Sequence, residues 1–303
     1  MNRDLEILIN RAASLVFGIF SQIEANGGER EVRFGGSGIF VAPFQTLTAR
    51  HVTRDLFRVN PERVDDLNKR VRDAEQNARS FYTQLPHSSA LFQASFGRAP
   101  RALIWHVHRV WDSVVTDVSF MEVNAEGDEA ASMERQMAGF FEWSLLPPPV
   151  GSNVVMLGYP QTVIRSQGGL MNIDIMYVMQ DGQVTDIYEP RRDYGMFSFP
   201  CFRINKPVDH GFSGGPIFWE NRLCGIVSGG FDEETYAASL WPLCLLEYEY
   251  PDMGAIGSKR MFADLLESGV IRSPDWPQLR GRIEKLYDKN GKPYARIVPQ
   301  ESA

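Results

Sequence analysis

The sequence is short of cysteine. It has three in 303 residues, at Cys201, Cys224 and Cys244. An odd, sparse set does not make a disulfide framework. Three buried free thiols are expected instead, in a reducing, cytoplasmic compartment. A membrane anchor is also missing. Residues 1–11 include Arg3, Asp4, Glu6 and Arg11, which break any signal-peptide pattern. The charge-free run 12–23 is too short to span a bilayer. The longer run 143–164 holds Pro147, Pro148, Pro149, Gly151 and Pro160, so it reads as a linker followed by a strand. No membrane partner is expected. Positive charge is in deficit, with a formal net charge of −7. Such a chain repels phosphate backbones, and no nucleic-acid partner is expected.

What remains is a packed globular protein. The composition is 44% apolar and 12% aromatic, which argues against wholesale disorder. The length suffices for two compact domains. Residues 5–15 have helical spacing. Short apolar runs follow, separated by turn residues: 15–23, 31–34 continued by 38–41, and 46–49. This spacing points to a barrel or sandwich of strands. The pattern then changes. Over 60–85, Asn60 can cap a helix and Pro61 suits its first position. Apolar residues recur at Val64, Leu67, Val71, Ala74, Ala78, Phe81 and Leu85. Gaps alternating between three and four predict a long amphipathic helix. Its seam suits packing on its own barrel, self-association, or a regulatory protein partner. Strands resume at 102–110 and 114–123. The stretch 147–151 is the best boundary. Beyond it, 153–157, 173–179, 183–188, 196–204, 216–219 and 223–228 read as strands. The end of the chain predicts a helix at 262–267 and a polar segment that frays.

The strongest chemical signal is His210-Gly211-Phe212-Ser213-Gly214-Gly215-Pro216-Ile217. A serine hydroxyl is a poor nucleophile until a base removes its proton. It needs a tight turn on which backbone N–H groups can converge on a developing oxyanion. Glycines on both sides of Ser213 permit that turn. Upstream, Gly36-Ser37-Gly38-Ile39-Phe40-Val41 leads into Thr46-Leu47-Thr48-Ala49-Arg50-His51-Val52. A histidine at the end of an apolar strand is rigid and semi-exposed, as a base should be. Two carboxylates compete to orient it. Asp117 stands directly before an apolar strand, and Asp112 stands between strands. His106 and His108 would share one strand face, but no further ligand is obvious and no metal is expected.

The order His, Asp, Ser resembles the chymotrypsin/trypsin-like serine peptidases. The Gly-Ser-Gly strand before the His and the Gly-x-Ser-Gly-Gly-Pro around the Ser carry the likeness, over about residues 12–250. The best match is an intracellular, bacterial-type member without disulfides. The resemblance implies an all-β fold, a double antiparallel β-barrel with the site between the barrels. Residues 1–145 would form the first barrel, with His51, Asp117 and a helical insertion at about 56–90. Residues 146–255 would form the second barrel, with Ser213, and 256–303 a C-terminal extension. Carried over, His51 is the base, Asp117 holds its ring, and Ser213 is the nucleophile. The N–H groups of Gly211 and Ser213 form the oxyanion hole. Ser228 supports the acid. Gly229 and Gly230 flank the substrate, and the pocket floor falls near Pro207.

Two departures stand out. Arg50 replaces the usual alanine before the His. Phe212 stands where secreted members have the aspartate that receives a freed N-terminus. The expected function is a serine endopeptidase that cleaves protein or peptide substrates through an acyl-enzyme, without cofactor, and is regulated by a partner. The alternative is an inactive, protease-like binding or regulatory module.

Overall fold

The computed structural model describes residues 3–24, 30–58, 81–83, 89–95, 101–125, 139–167, 170–250 and 258–299. Helix α1 (Arg3–Ala13) precedes strands β1 (Val16–Glu24), β2 (Arg30–Ala42) and β3 (Gln45–Ala49). Helix α2 (Arg50–Arg58) follows at once, then β4 (Phe81–Thr83), β5 (Ser89–Ser95), β6 (Arg101–Asp112) and β7 (Val118–Ala125). These seven strands form one sheet in the order β4-β6-β5-β1-β2-β3-β7. An extra β6–β7 pairing joins its ends, so β1, β2, β3, β7, β6 and β5 make a ring. Inside it, the Phe40 ring sits 5.0 Å from both Phe17 and Trp105.

The second half contains β8 (Asn153–Gly158), the hairpin β9 (Val163–Gln167) and β10 (Leu170–Asp174), β11 (Val178–Tyr188), β12 (Cys201–Ile204), β13 (Pro216–Trp219), β14 (Arg222–Phe231) and β15 (Glu234–Ser239). Six of them close a barrel in the order β11-β12-β15-β14-β13-β8. Two tight hairpins build it. Glu220 and Asn221 join β13 to β14, and Asp232 and Glu233 join β14 to β15, all four at positive φ. Turns of that hand match the twist of the strands they connect. Met156, Phe202, Ile204, Phe212, Ile217 and Val227 fill this barrel. The fold is therefore the double antiparallel barrel.

Several expectations change. The helix over 60–85 lies outside the described residues for 60–80. Where description resumes, Phe81–Thr83 is a strand paired with β6 at Val110–Asp112, and Ser89–Ser95 is a strand between β1 and β6. At Phe81–Thr83 the chain is therefore strand and not helix, because the ladder on β6 overrides local periodicity. The run 196–204 is strand only from Cys201 onward, 114–123 is strand only from Val118 onward, and 173–179 is broken at 175–177 between two strands.

The end of the chain does not fray before 299. After the hairpin of β16 (Glu247–Tyr250) and β17 (Ser258–Met261), helices α3 (Ala263–Glu267) and α4 (Trp276–Leu279) lead into a hairpin of β18 (Ile283–Tyr287) and β19 (Pro293–Ile297). Apolar residues hold this extension. The Phe262 ring lies 5.4 Å from Phe120 of the first barrel and 5.6 Å from Trp143 of the linker, and Ala295 is wholly buried. All three cysteines are free and buried. Among the described residues, no helix is long and apolar enough to cross a membrane.

Phe202 sits in the centre of the second barrel, fully buried. Phe202→Ala should therefore cost about 3–5 kcal/mol in urea denaturation. Val150→Ala, at a residue 60% exposed, should stay within about 0.5 kcal/mol.

Candidate active site

Strand register brings the first two polar residues together. Ala49 of β3 pairs with Val118 of β7, so the residues just beyond them are neighbours. Arg50 N–H donates to the Asp117 carbonyl at 3.1 Å as α2 begins. His51 then meets the Asp117 carboxylate twice. Its N–H donates to Oδ1 at 3.2 Å, and its Nδ1 lies 2.8 Å from Oδ2. Ser228, from β14 of the other barrel, donates its Oγ to the same Oδ2 at 2.5 Å. An Nδ1 facing a carboxylate carries the proton, which leaves Nε2 as the basic nitrogen.

Asp112 has a different task. It is buried and accepts from Thr53 Oγ1 at 3.0 Å and from Ser119 Oγ, with Arg54 Nε 3.9 Å away. Thr53 Oγ1 also lies 2.7 Å from the Arg50 carbonyl. Arg50 in turn donates Nη1 to the Ser113 carbonyl at 2.9 Å. Asp112 and Arg50 thus tie α2 to the 113–117 turn that carries Asp117. Of the two carboxylates, only Asp117 hydrogen-bonds His51.

Ser213 is placed by its backbone. Its carbonyl accepts from Ser37 N–H at 2.8 Å, and Gly214 N–H donates to Val227 O at 2.8 Å. Ser37 Oγ donates to the Gly211 carbonyl at 2.6 Å. Two glycines are obligatory here. A Cβ on Gly214, at φ +84°, would fall 2.1 Å from Ser37 O and from Thr48 Oγ1. One on Gly211, at φ +100°, would fall 2.6 Å from Tyr159 O. Phe212 between them is 1% exposed and joins the core of the second barrel. The loop is therefore held by apolar burial where secreted relatives use an ion pair.

Among the described residues, neither the Gly211 nor the Ser213 N–H donates to a protein acceptor. No hydrogen bond joins the Ser213 hydroxyl to His51 either; such contacts are often loose until substrate arrives. Ser37 is the residue whose role the sequence reading missed. Its signal was its place between Gly36 and Gly38, on the strand facing the Ser213 loop.

The remaining candidates line the surroundings. Beside Ser228, a β-bulge falls between Val227 and Gly229, and a Cβ on Gly229 would meet nothing within 4 Å. Gly230 faces residue 208 across the gap, where an added Cβ would be 3.4 Å from Val208 O. Pro207 is exposed, with its carbonyl accepting from Gln180 Nε2 at 2.7 Å. Asp209 accepts from Gln161 Nε2 at 2.8 Å on the surface. Cys224 is buried and its thiol pKa is pushed up by that burial, which makes it a poor nucleophile.

Electrostatics set the His51 proton. Burial favours the neutral ring, but the Asp117 charge and hydrogen bond, with help from Asp55, outweigh it and raise the His51 pKa above 6.5. Burial alone would raise the Asp117 pKa. The His51 charge and hydrogen bond, Arg50 and the Ser228 hydroxyl together hold it below the usual carboxylate range. The His51 ring should therefore titrate above pH 6.5 in an NMR titration. Asp117→Asn removes the main raising influence and should bring the midpoint below 6.5. Asp112→Asn should move it far less, because Asp112 acts on α2 rather than on the ring.

The sequence model of the trypsin-like peptidase domain matches residues 36–226. No curated protein sequence matches the chain. Among solved structures, the active form of the Rv3671c protease from M. tuberculosis is 17% identical. It covers 78% of this chain and 82% of its own, with a TM-score of 0.45. The inactive form of the same protease is 15% identical, covers 78% and 90%, and has a TM-score of 0.43. An HtrA-type protease, AlgW, solved as a Ser-to-Ala variant with a decapeptide, is 13% identical, covers 88% and 74%, and has a TM-score of 0.46. The domain match runs from the middle of β2 to the middle of β14, with His51, Asp117 and Ser213 inside it, and the chain belongs to the trypsin-like peptidase domain family, a family of serine endopeptidases.

Proposed function

We propose that the protein cleaves peptide bonds in protein substrates through an acyl-enzyme on Ser213, with His51 as general base and Asp117 as the orienting acid. The observation that carries this reading is the chain of hydrogen bonds from Ser228 through Asp117 to His51 Nδ1. It fixes the tautomer that a serine nucleophile requires. In the first step Ser213 Oγ attacks the scissile carbonyl and its proton passes to His51 Nε2. The carbonyl oxygen gains the electron pair and takes the Gly211 and Ser213 N–H groups. Collapse of that intermediate expels the amine, which receives the proton from His51. Water then enters by the same route and releases the acid. No step calls for a cofactor.

Both departures from the family pattern serve this reading. Arg50 braces the Asp117 turn. Phe212 anchors the nucleophile loop by burial, so the loop needs no freed N-terminus to order it. Gly229 leaves open space beside Ser228, and Asp209 is engaged elsewhere. An apolar residue before the cut suits that space. Regulation by a protein partner rests on the seam over 60–80, outside the described residues.

Ser213→Ala should abolish labelling by a fluorophosphonate and lower kcat about a millionfold, with the fold retained. His51→Ala should do nearly as much harm, and the double variant should be little worse than either. Asp117→Asn should cost roughly ten-thousandfold. In the parent enzyme, kcat/KM should fall as pH falls through the raised His51 pKa, because protonation removes the base. Unchanged turnover in Ser213→Ala would end the assignment.

A further inference from the structure

A cavity of about 740 Å³ opens beside His51. Its near wall is α2 and the 114–117 turn. Its floor is Ser228, Gly229 and Gly230 of β14, and its far wall is residues 195–199. The turn between β18 and β19, residues 290–293, closes the end. The C-terminal extension, outside the matched family domain, thus completes a cleft that begins at the catalytic base.

The closing turn is firmly seated. Arg191 pairs with Asp288 at 3.1 Å, both side chains only 9% exposed. The same guanidinium lies over Tyr194 at 4.6 Å and over Tyr294 at 4.9 Å. Lys292 Nζ donates to Ser198 Oγ at 2.9 Å and so binds the turn to the far wall. A paired, stacked and partly desolvated arginine holds geometry better than an exposed ion pair does.

Cations outnumber carboxylates among the described residues that line the cleft. Arg50, Arg54 and Lys292 line it, together with His51. Among the described residues the only lining carboxylate is Asp117, which already accepts from His51 and Ser228. Asp112 lies behind Arg54, buried and outside the lining, and Asp55 acts on His51 from α2. The chain as a whole carries −7, so a cationic cleft is not a sample of the average surface. Apolar walls of low dielectric focus such a field. Arg50 is also the departure from the family pattern that the sequence made conspicuous.

We propose that this cleft is a substrate subsite for carboxylate side chains, placed on the acyl side of the scissile bond and read by Arg50, Arg54 and Lys292. The proposal rests on the peptidase reading for the position of the cut, and adds the substrate class. It makes the enzyme selective for acidic stretches that end in an apolar residue at the cleavage point. Lys292 is the specificity residue furthest along the chain from the catalytic groups.

The test uses two peptide sets with the same apolar residue before the cut. One has Glu at the second to fourth positions before it, and the other has Gln. The acidic set should be cleaved with kcat/KM higher on the order of tenfold at low salt, and the advantage should shrink as ionic strength rises. Lys292→Gln should reduce it severalfold, and Lys292→Glu should cancel or reverse it. Fluorophosphonate labelling should be unchanged in both variants, since Lys292 is not part of the reacting group. Fluorescence anisotropy with the Ser213→Ala protein reads the same preference as binding, without turnover. Equal Kd values for the two sets there would overturn the subsite, as would an acidic advantage that survives Lys292→Glu. Absence of labelling and of cleavage, with the binding preference intact, would overturn the peptidase reading and leave the subsite standing.

Discussion

The Asp117 carboxylate is held by both halves of the molecule. Its Oδ2 takes His51 from the first barrel and Ser228 from the second, and it is 6% exposed. A carboxylate moved out of water at that depth is costly unless its lone pairs are met by donors. Three donors meet this one, and it stays ionised. The contact therefore requires the barrels to be docked in one arrangement. It also requires the 49–118 register and the bulge before Gly229, since a one-residue slip in either strand would turn the donor to the opposite face.

The rest of the site follows from that docking. Ser37 reaches across from β2 and holds the Ser213 loop by its N–H and its hydroxyl. The two glycines at positive φ let the loop lie within contact of β2 and β3, where any side chain would collide. Phe212 then locks the loop from the other side by filling the second barrel's core. An apolar anchor has no titratable group, so the order of this loop is not tied to pH as an ion-paired anchor would be. The same economy of burial seats the C-terminal extension, where Phe262, Trp143 and Phe120 meet between the barrels' outer surfaces.

Much of the fold was legible because strands of a barrel alternate and turn at short intervals. Residues 46–49, 153–157, 216–219 and 223–228 were read as strands and are strands. The unread strands fall into clear kinds. β4 lies within the end of the helical seam and β5 follows it, and their strand state depends on pairing with β6 and β1. β18 and β19 are held in place because the turn between them is tied to Arg191 and Ser198. Local pattern carries no record of a partner that lies a hundred residues away.

The sequence by itself determined the chemistry: a serine between glycines, a histidine after an apolar strand, and a short list of carboxylates that could serve it. Residue type and local turn preference are properties of neighbours along the chain, so they can be read there. Only the tertiary structure decided which carboxylate meets His51 and what work Arg50 and Ser37 do. It also decided that residues 290–293 help to wall the cleft. Each of these depends on distances between residues far apart in the chain, and strand register and barrel docking create those distances.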